Sequence, residues 1–280
     1  MEFFGEEVID DVTPSSCAAY VAWRDAEQAA RRELEDLRAA ILHAYRSRKL
    51  AVPIPVAVPP KAAPRDRWLT RSEAARLVAG AIGFRFTLCS DVRTRRERWV
   101  VSRDGERNRH VARFILIGLY TATRHDAILR IGWRPHANGG YVDLERGRLY
   151  RRAPGVRETK KRTQPFRLPN RLMVHLRRWS TLQAPGLYVV SWDGSRLGKM
   201  RLAWRSAVAL AGLDRAVTPH VLRHTYVTWQ LQSGASIWDT AHAAGMSPEL
   251  VERVYGHHAV DFQDRVTTPF RAPRRPRAVG

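Results

Sequence analysis

The sequence predicts an α+β fold, and three observations predict it. Helical periodicity gives way once, between residues 141 and 169, to three short strand-like runs and then returns, so helices and strands are segregated instead of alternating. A stretch with five prolines, residues 51–66 (AVPIPVAVPPKAAPRD), divides the chain into a short first part and a long second one. With 280 residues and 44% hydrophobic content, the long part can bury a core of its own.

Taken in order, residues 14–24 and 27–45 read as helices, the second with Leu34, Leu37, Ile41 and Tyr45 on a period near 3.6. So little apolar content is marginal for an independent domain, so residues 1–50 are expected to lean on DNA, on the rest of the chain or on a partner. The proline-rich residues 51–66 read as an extended, semi-rigid linker. Thr70-Arg-Ser-Glu73 has capping-box spacing and opens the large domain, placed at residues 67–264. A helix is expected over 109–120. Strands follow at 141–145, 147–152 and 164–169, and helices at 171–179, 197–211, 219–232, 236–244 and 248–257. Residues 265–280 form a basic tail whose last ten positions hold four arginines among three prolines or glycines, a composition expected to be disordered in isolation.

Charge restricts the partners. Lys and Arg number 48 against 27 Asp and Glu, a formal net charge of +21, which is more than solubility needs and points to polyanions. All but five of those cations are arginines, the side chain suited to bidentate phosphate contact. Cys17 and Cys89 form neither a disulfide framework nor a CxxC metal spacing, which fits a reducing cytosol. The N-terminus, MEFFGEEVIDD, is acidic and lacks an apolar signal region, and the longest apolar run is the short segment 114–120. A cytoplasmic, nucleoid-associated protein without a membrane span is expected.

The segment richest in chemistry is Thr218-Pro-His220-Val-Leu-Arg223-His224-Thr-Tyr-Val-Thr-Trp229. Pro219 suits the first turn of a helix, after which His220, Arg223 and His224 fall at i, i+3 and i+4 on one face. An imidazole and a guanidinium that point the same way fit phosphoryl chemistry, where cations hold the non-bridging oxygens and an acid or base moves a proton.

This segment resembles the H-x-x-R box of the tyrosine recombinases, the phage integrase family. Thr121-Ala-Thr-Arg124-His-Asp126-Ala127 is similar to the family's T-G-x-R-x-x-E sequence, and Thr159-Lys160-Lys161-Arg162-Thr-Gln-Pro-Phe-Arg-Leu-Pro169 to its lysine-bearing β-hairpin turn. The conspicuous Gly256-His257-His258 also resembles a family box, but Val266 and Thr267 stand where a tyrosine should follow. Read from Ala244-Gly-Met246-Ser-Pro, the register places Tyr255 nine residues after the box position, on a helix that Ser247 caps and Pro248 opens.

The resemblance implies a mainly helical catalytic domain with a small antiparallel three-stranded sheet, preceded by a core-binding domain that is short and truncated here. It implies Arg124 and Arg223 as phosphate clamps, His220 as their partner, Lys160 as the acid for the leaving 5′ oxygen with Lys161 the runner-up in register, and Tyr255 as the nucleophile. Lys161, Arg162 and His224 join them at DNA. No metal or other cofactor is implied. Double-stranded DNA is the partner, engaged by a homo- or hetero-tetramer, with a DNA-bending or directionality factor beside it and a mobile genetic element in bacteria as the setting. Two positions depart from the family: Ala127 stands where an acid supports the first arginine, and Met246 where a His or Trp faces the phosphate. Asp126, His242 and His257 are the candidates to make good those losses. The departures motivate a second expectation, a degenerate or accessory relative that binds DNA with little cleavage. A third is a basic regulator whose helix at 219–232 reads a groove.

Overall fold

The computed structural model describes residues 3–5, 8–62, 67–90, 97–103, 105–156, 164–182 and 186–259. Contacts divide the chain into two compact units, Met1–Arg65 and Asp66–Gly280.

The first unit is built on α1 (Pro14–Arg24) and α2 (Glu27–Arg46). Thr13 caps α1 by accepting from the Ser16 amide, and Pro14 fills the first helical position, where its missing N–H costs nothing. Leu34 and Ile41 of α2 are buried with Cys17 of α1, and the proline-rich segment lays Val56 into the same small core with Ile54 and Val58 beside it. That segment, expected as a spacer, therefore contributes packing, because its extended backbone presents alternate apolar side chains to the helix pair.

The second unit begins with α3 (Arg71–Ala81), whose capping box is formed as its sequence predicts: Thr70 Oγ1 accepts from the Glu73 amide and Glu73 from the Thr70 amide. A hairpin, β1 (Arg85–Ser90) with β2 (Glu97–Ser102), leads to α4 (Arg109–Thr121) and the short α5 (His125–Ile128). Strands β3 (Tyr141–Asp143), β4 (Arg148–Tyr150) and β5 (Phe166–Arg167) form the expected antiparallel three-stranded sheet in the order β3-β4-β5. Helix α6 (Asn170–Leu182), a small hairpin of β6 (Ser191–Trp192) and β7 (Ser195–Arg196), then α7 (Arg201–Leu210), α8 (Val221–Gln232), α9 (Ile237–Ala244) and α10 (Pro248–Tyr255) complete it. A 3-10 turn, Gly256–His258, ends the described chain.

Two corrections follow. The β1–β2 and β6–β7 hairpins add two small sheets that the sequence reading did not expect. The helix expected over 197–211 starts only at Arg201; ahead of it Asp193 and Gly194, both at positive φ, turn β7 back onto β6.

Helix α4 is the centre of the core: Phe114, Ile115 and Ile117 are fully buried. Gly118 lets α8 approach, since a Cβ there would stand 2.7 Å from Leu222 Cδ1. A second apolar cluster joins the end of α4 to α8, α9 and α10 through Ala122, Tyr226, Val227, Leu231, Ala241, Ala244, Val251 and Tyr255. It is the floor on which the candidate site stands. Among the described residues no helix is long and apolar enough to cross a membrane.

Candidate active site

Helix α4 ends at Thr121, and the chain leaves it through Ala122, which sits at φ 51° in the left-handed region that disfavours any residue with a Cβ. Two residues later Arg124 stands at the N-terminal boundary of α5, exposed to solvent. Arg223, on the first turn of α8, is buried beneath it. Its Nη1 donates to the Ala122 carbonyl at 2.8 Å and its Nη2 to the Gly245 carbonyl at 3.3 Å. Arg124 Nη2 reaches the same Gly245 carbonyl at 3.5 Å. Gly245 can offer that oxygen because it closes α9 at φ 63°, a conformation free of cost for glycine. Two guanidiniums from sequence-distant elements thus converge on one backbone turn, with donors left over on both.

Tyr255 lies at the end of α10. Ser247 caps that helix on the Leu250 amide and Pro248 starts it, while Val251 anchors it in the apolar floor. The Tyr255 side chain is buried, and its Oη lies 2.6 Å from His224 Nδ1. His224 in turn meets His220 edge to face, with ring centroids 4.6 Å apart. Since His220, Arg223 and His224 sit on one face at the start of α8, the hydrogen-bond partner of the nucleophile candidate and a clamp arginine share one helical turn.

A third arginine completes the cluster. Arg151, just past β4, donates from Nε to Thr123 Oγ1 at 3.2 Å and from Nη2 to the Thr121 carbonyl at 2.5 Å, and its guanidinium lies over the Phe166 ring at 4.9 Å. Burial, then the positive charges of Arg124 and Arg151, push Arg223 down to about 10, with Tyr255 acting in the opposite direction. Arg151 is likewise pushed down to about 10, mainly by burial; Tyr226 opposes the shift and Arg124 adds to it. Among the described residues no carboxylate pairs with Arg124, Arg151 or Arg223. Partly desolvated cations without a counter-charge form a site suited to an anion, and planar guanidiniums suit a phosphate. His220 is held below the ordinary imidazole value, first by loss of hydration around part of its ring and then by Arg223 and Arg124, although the residue keeps an exposed edge.

Of the residues singled out in the sequence, Arg124, His220, Arg223, His224 and Tyr255 come together. Met246 follows the Gly245 carbonyl directly and packs against the apolar floor. Asp126 pairs with His125 at 2.9 Å instead of supporting Arg124. His242 is exposed on α9, and His257 lies against His258 with the rings tilted at 46° and their centroids 4.0 Å apart. Lys160, Lys161 and Arg162 lie outside the described residues. The sequence reading missed Arg151 and the Gly245 carbonyl. The glycine had a signal, as the residue just past a helix end; Arg151 had none that set it apart from the other arginines.

No protein-family model matches the chain, and no curated protein matches it. Solved structures do. The Tn1549 transposon integrase in complex with circular intermediate DNA matches with a TM-score of 0.66 at 14% identity, over 94% of this chain and 87% of that one. The same integrase in complex with transposon right end DNA matches with a TM-score of 0.65 at 14% identity, over 96% of this chain and 89% of that one. The XerH site-specific recombinase, bound to its palindromic difH substrate in a post-cleavage complex, matches with a TM-score of 0.62 at 14% identity, over 95% and 75%. The fold of this chain is therefore the mainly helical α+β fold of the tyrosine recombinases.

Proposed function

We propose that the chain is a DNA strand-transferase that cuts and rejoins DNA through a covalent 3′-phosphotyrosine at Tyr255. The observation that carries this reading is the 2.6 Å contact of the buried Tyr255 hydroxyl with His224, one residue from Arg223 and beside the turn on which Arg223 and Arg124 converge. The Tn1549 integrase and XerH structures that share the chain's fold are complexes with DNA, and the charge of +21 suits that partner.

The proposed chemistry uses the arginine cluster, Tyr255 and His224, with Lys160 assigned by the family resemblance. A scissile phosphate on the arginine cluster places its non-bridging oxygens on Arg124 and Arg223, whose charges offset those that develop as phosphorus becomes five-coordinate. The Tyr255 oxygen attacks phosphorus, and its proton passes to His224 Nδ1. The bond to the 5′ oxygen breaks, and Lys160 supplies the proton to that oxygen. A 5′ hydroxyl of a second duplex then attacks the phosphotyrosine and gives its proton to Lys160, the tyrosine leaves and takes its proton back from His224, and the number of phosphodiesters is unchanged. Strand exchange between two duplexes calls for four protomers.

A nicked suicide duplex, from which the cut end diffuses away, tests the reading. Wild type is expected to accumulate a protein–DNA adduct and Tyr255→Phe none. Absence of an adduct with wild type across a library of candidate sites, or an adduct that survives Tyr255→Phe, sinks it. Met246, apolar where the family presents a donor, favours a second reading: an accessory DNA-binding relative, for which the wild-type chain binds the duplex and forms no adduct.

A further inference from the structure

The turn between α4 and α5 is built at a cost, and one side chain outside the proposed clamp holds it. Ala122 occupies the left-handed region at φ 51° with its side chain fully buried. A residue with a Cβ keeps that conformation only where its surroundings over-determine it. The Ala122 amide donates to the Gly118 carbonyl at 3.0 Å, its methyl joins the apolar floor, and both of its flanks are tied as well. Thr121 Oγ1 donates to the Ile117 carbonyl at 2.7 Å and contacts Thr123 Oγ1 at 2.6 Å, and Arg151 grips both flanks, the Thr121 carbonyl on one side and Thr123 Oγ1 on the other. What hangs from the turn is the whole phosphate clamp. The Ala122 carbonyl orients Arg223, and Arg124 follows one residue after Thr123. The acid that supports the first arginine in the related family is replaced by Ala127, and the neighbouring Asp126 is engaged with His125.

We propose that Arg151 is a positioning residue of the phosphate pocket: by bridging Thr121 and Thr123 it locks Ala122 in its left-handed conformation and so sets Arg124 and Arg223 in register for one phosphate. The inference rests on the phosphate-clamp reading of the arginine cluster. It does not depend on whether Tyr255 attacks. A single ammonium cannot span two acceptors on opposite flanks of a turn as a guanidinium does, so lysine is a poor substitute. Glycine at position 122 adopts the turn without restraint, so it relieves the need for Arg151.

The full-length chain and its R151Q, R151K, A122G and R151Q/A122G variants give the test, read in two ways. The first is affinity for inorganic phosphate by calorimetry. R151Q is expected to bind about tenfold or more weakly, R151K to recover little of that, and R151Q/A122G to recover more than A122G adds to wild type. The second is the rate of adduct formation on the nicked duplex, expected to follow the same order. Recovery by A122G is the decisive readout, since neither a lost charge nor a general loss of packing is repaired by removing one methyl group. R151Q that binds phosphate within about twofold of wild type, or a loss that A122G leaves untouched, overturns the inference. If R151Q does not fold, Thr123→Val, which removes one of the two acceptors and keeps the charge, takes its place in the same scheme. Arg151-dependent phosphate binding in a wild-type chain that forms no adduct supports this inference and overturns strand transfer. An adduct that R151Q forms at the wild-type rate, with unchanged phosphate affinity, does the reverse.

Discussion

At the scale of single residues, the proposed strand transfer gives His224 the task of taking the Tyr255 proton, and its Nδ1 lies within hydrogen-bond reach of that oxygen at 2.6 Å. His224→Ala is therefore expected to slow adduct formation by about 10²- to 10⁴-fold while leaving duplex affinity nearly unchanged, and a rise in pH is expected to recover part of the loss as hydroxide takes over. Single-turnover kinetics on the nicked duplex check this; a rate within about threefold of wild type removes His224 from the mechanism. The same scale shows where the sequence was mute. His220, Arg223 and His224 were legible because helical spacing puts them on one face. Arg151 was not, because its importance lies in Thr121 and Thr123, some thirty positions away in sequence (28 and 30). Ala122 concealed its backbone conformation in the same way: an alanine says nothing of a left-handed turn, whereas a glycine there would have hinted at one.

At the scale of elements, helix pairs are spaced by small residues, and α3 against α7 is the tightest case. A Cβ on Gly80 would stand 2.6 Å from the Ala207 carbonyl oxygen and 3.0 Å from the Ala211 amide, both backbone atoms that no rotamer change can move. Gly80→Ala gains about 1 kcal/mol of helix propensity but forces the two helices apart, at a cost of about 1–3 kcal/mol. A net loss of stability is expected in urea titration, with the adduct rate well below the unfolding transition unchanged because neither helix carries a site residue. A variant as stable as wild type or more so contradicts the packing. Elements whose signal is local were legible: α10 announces itself through Ser247 and Pro248, α3 through its capping box. The β1–β2 hairpin was not, because β2 is exposed along its whole length and β1 nearly so, leaving neither strand the alternation of buried and exposed residues that marks a sheet with one face inside. Strand pairing there is a long-range choice, made between residues such as Arg85 and Ser102.

At the scale of the whole molecule, the charge of +21 stands beside two histidines, one buried and one at the candidate site, that resist further protonation. His110 is held below the ordinary imidazole value by burial and then by Arg113, and His220 by loss of hydration and then by Arg223 and Arg124. In the unfolded chain both take up a proton as pH falls through about 6.5, whereas in the folded chain they resist it. The unfolded state then binds more protons, so stability is full above that pH and is lost as pH falls below it. Glu73, lowered by Arg67 and the Thr70 turn against the effect of burial, acts in the same direction further down, below the ordinary carboxylate range. Urea midpoints are thus expected to decline from pH 7.5 to pH 5.5, before any carboxylate titrates. Inorganic phosphate should raise them at every pH, because an anion on Arg124 and Arg223 binds the folded state alone and relieves the cations that burial and mutual repulsion hold at about 10 in the case of Arg223. A flat profile from pH 7.5 to 5.5 would show that the two histidines charge as easily in the fold as out of it. Midpoints indifferent to phosphate would show that the arginine cluster is satisfied by the protein itself and does not await a DNA backbone.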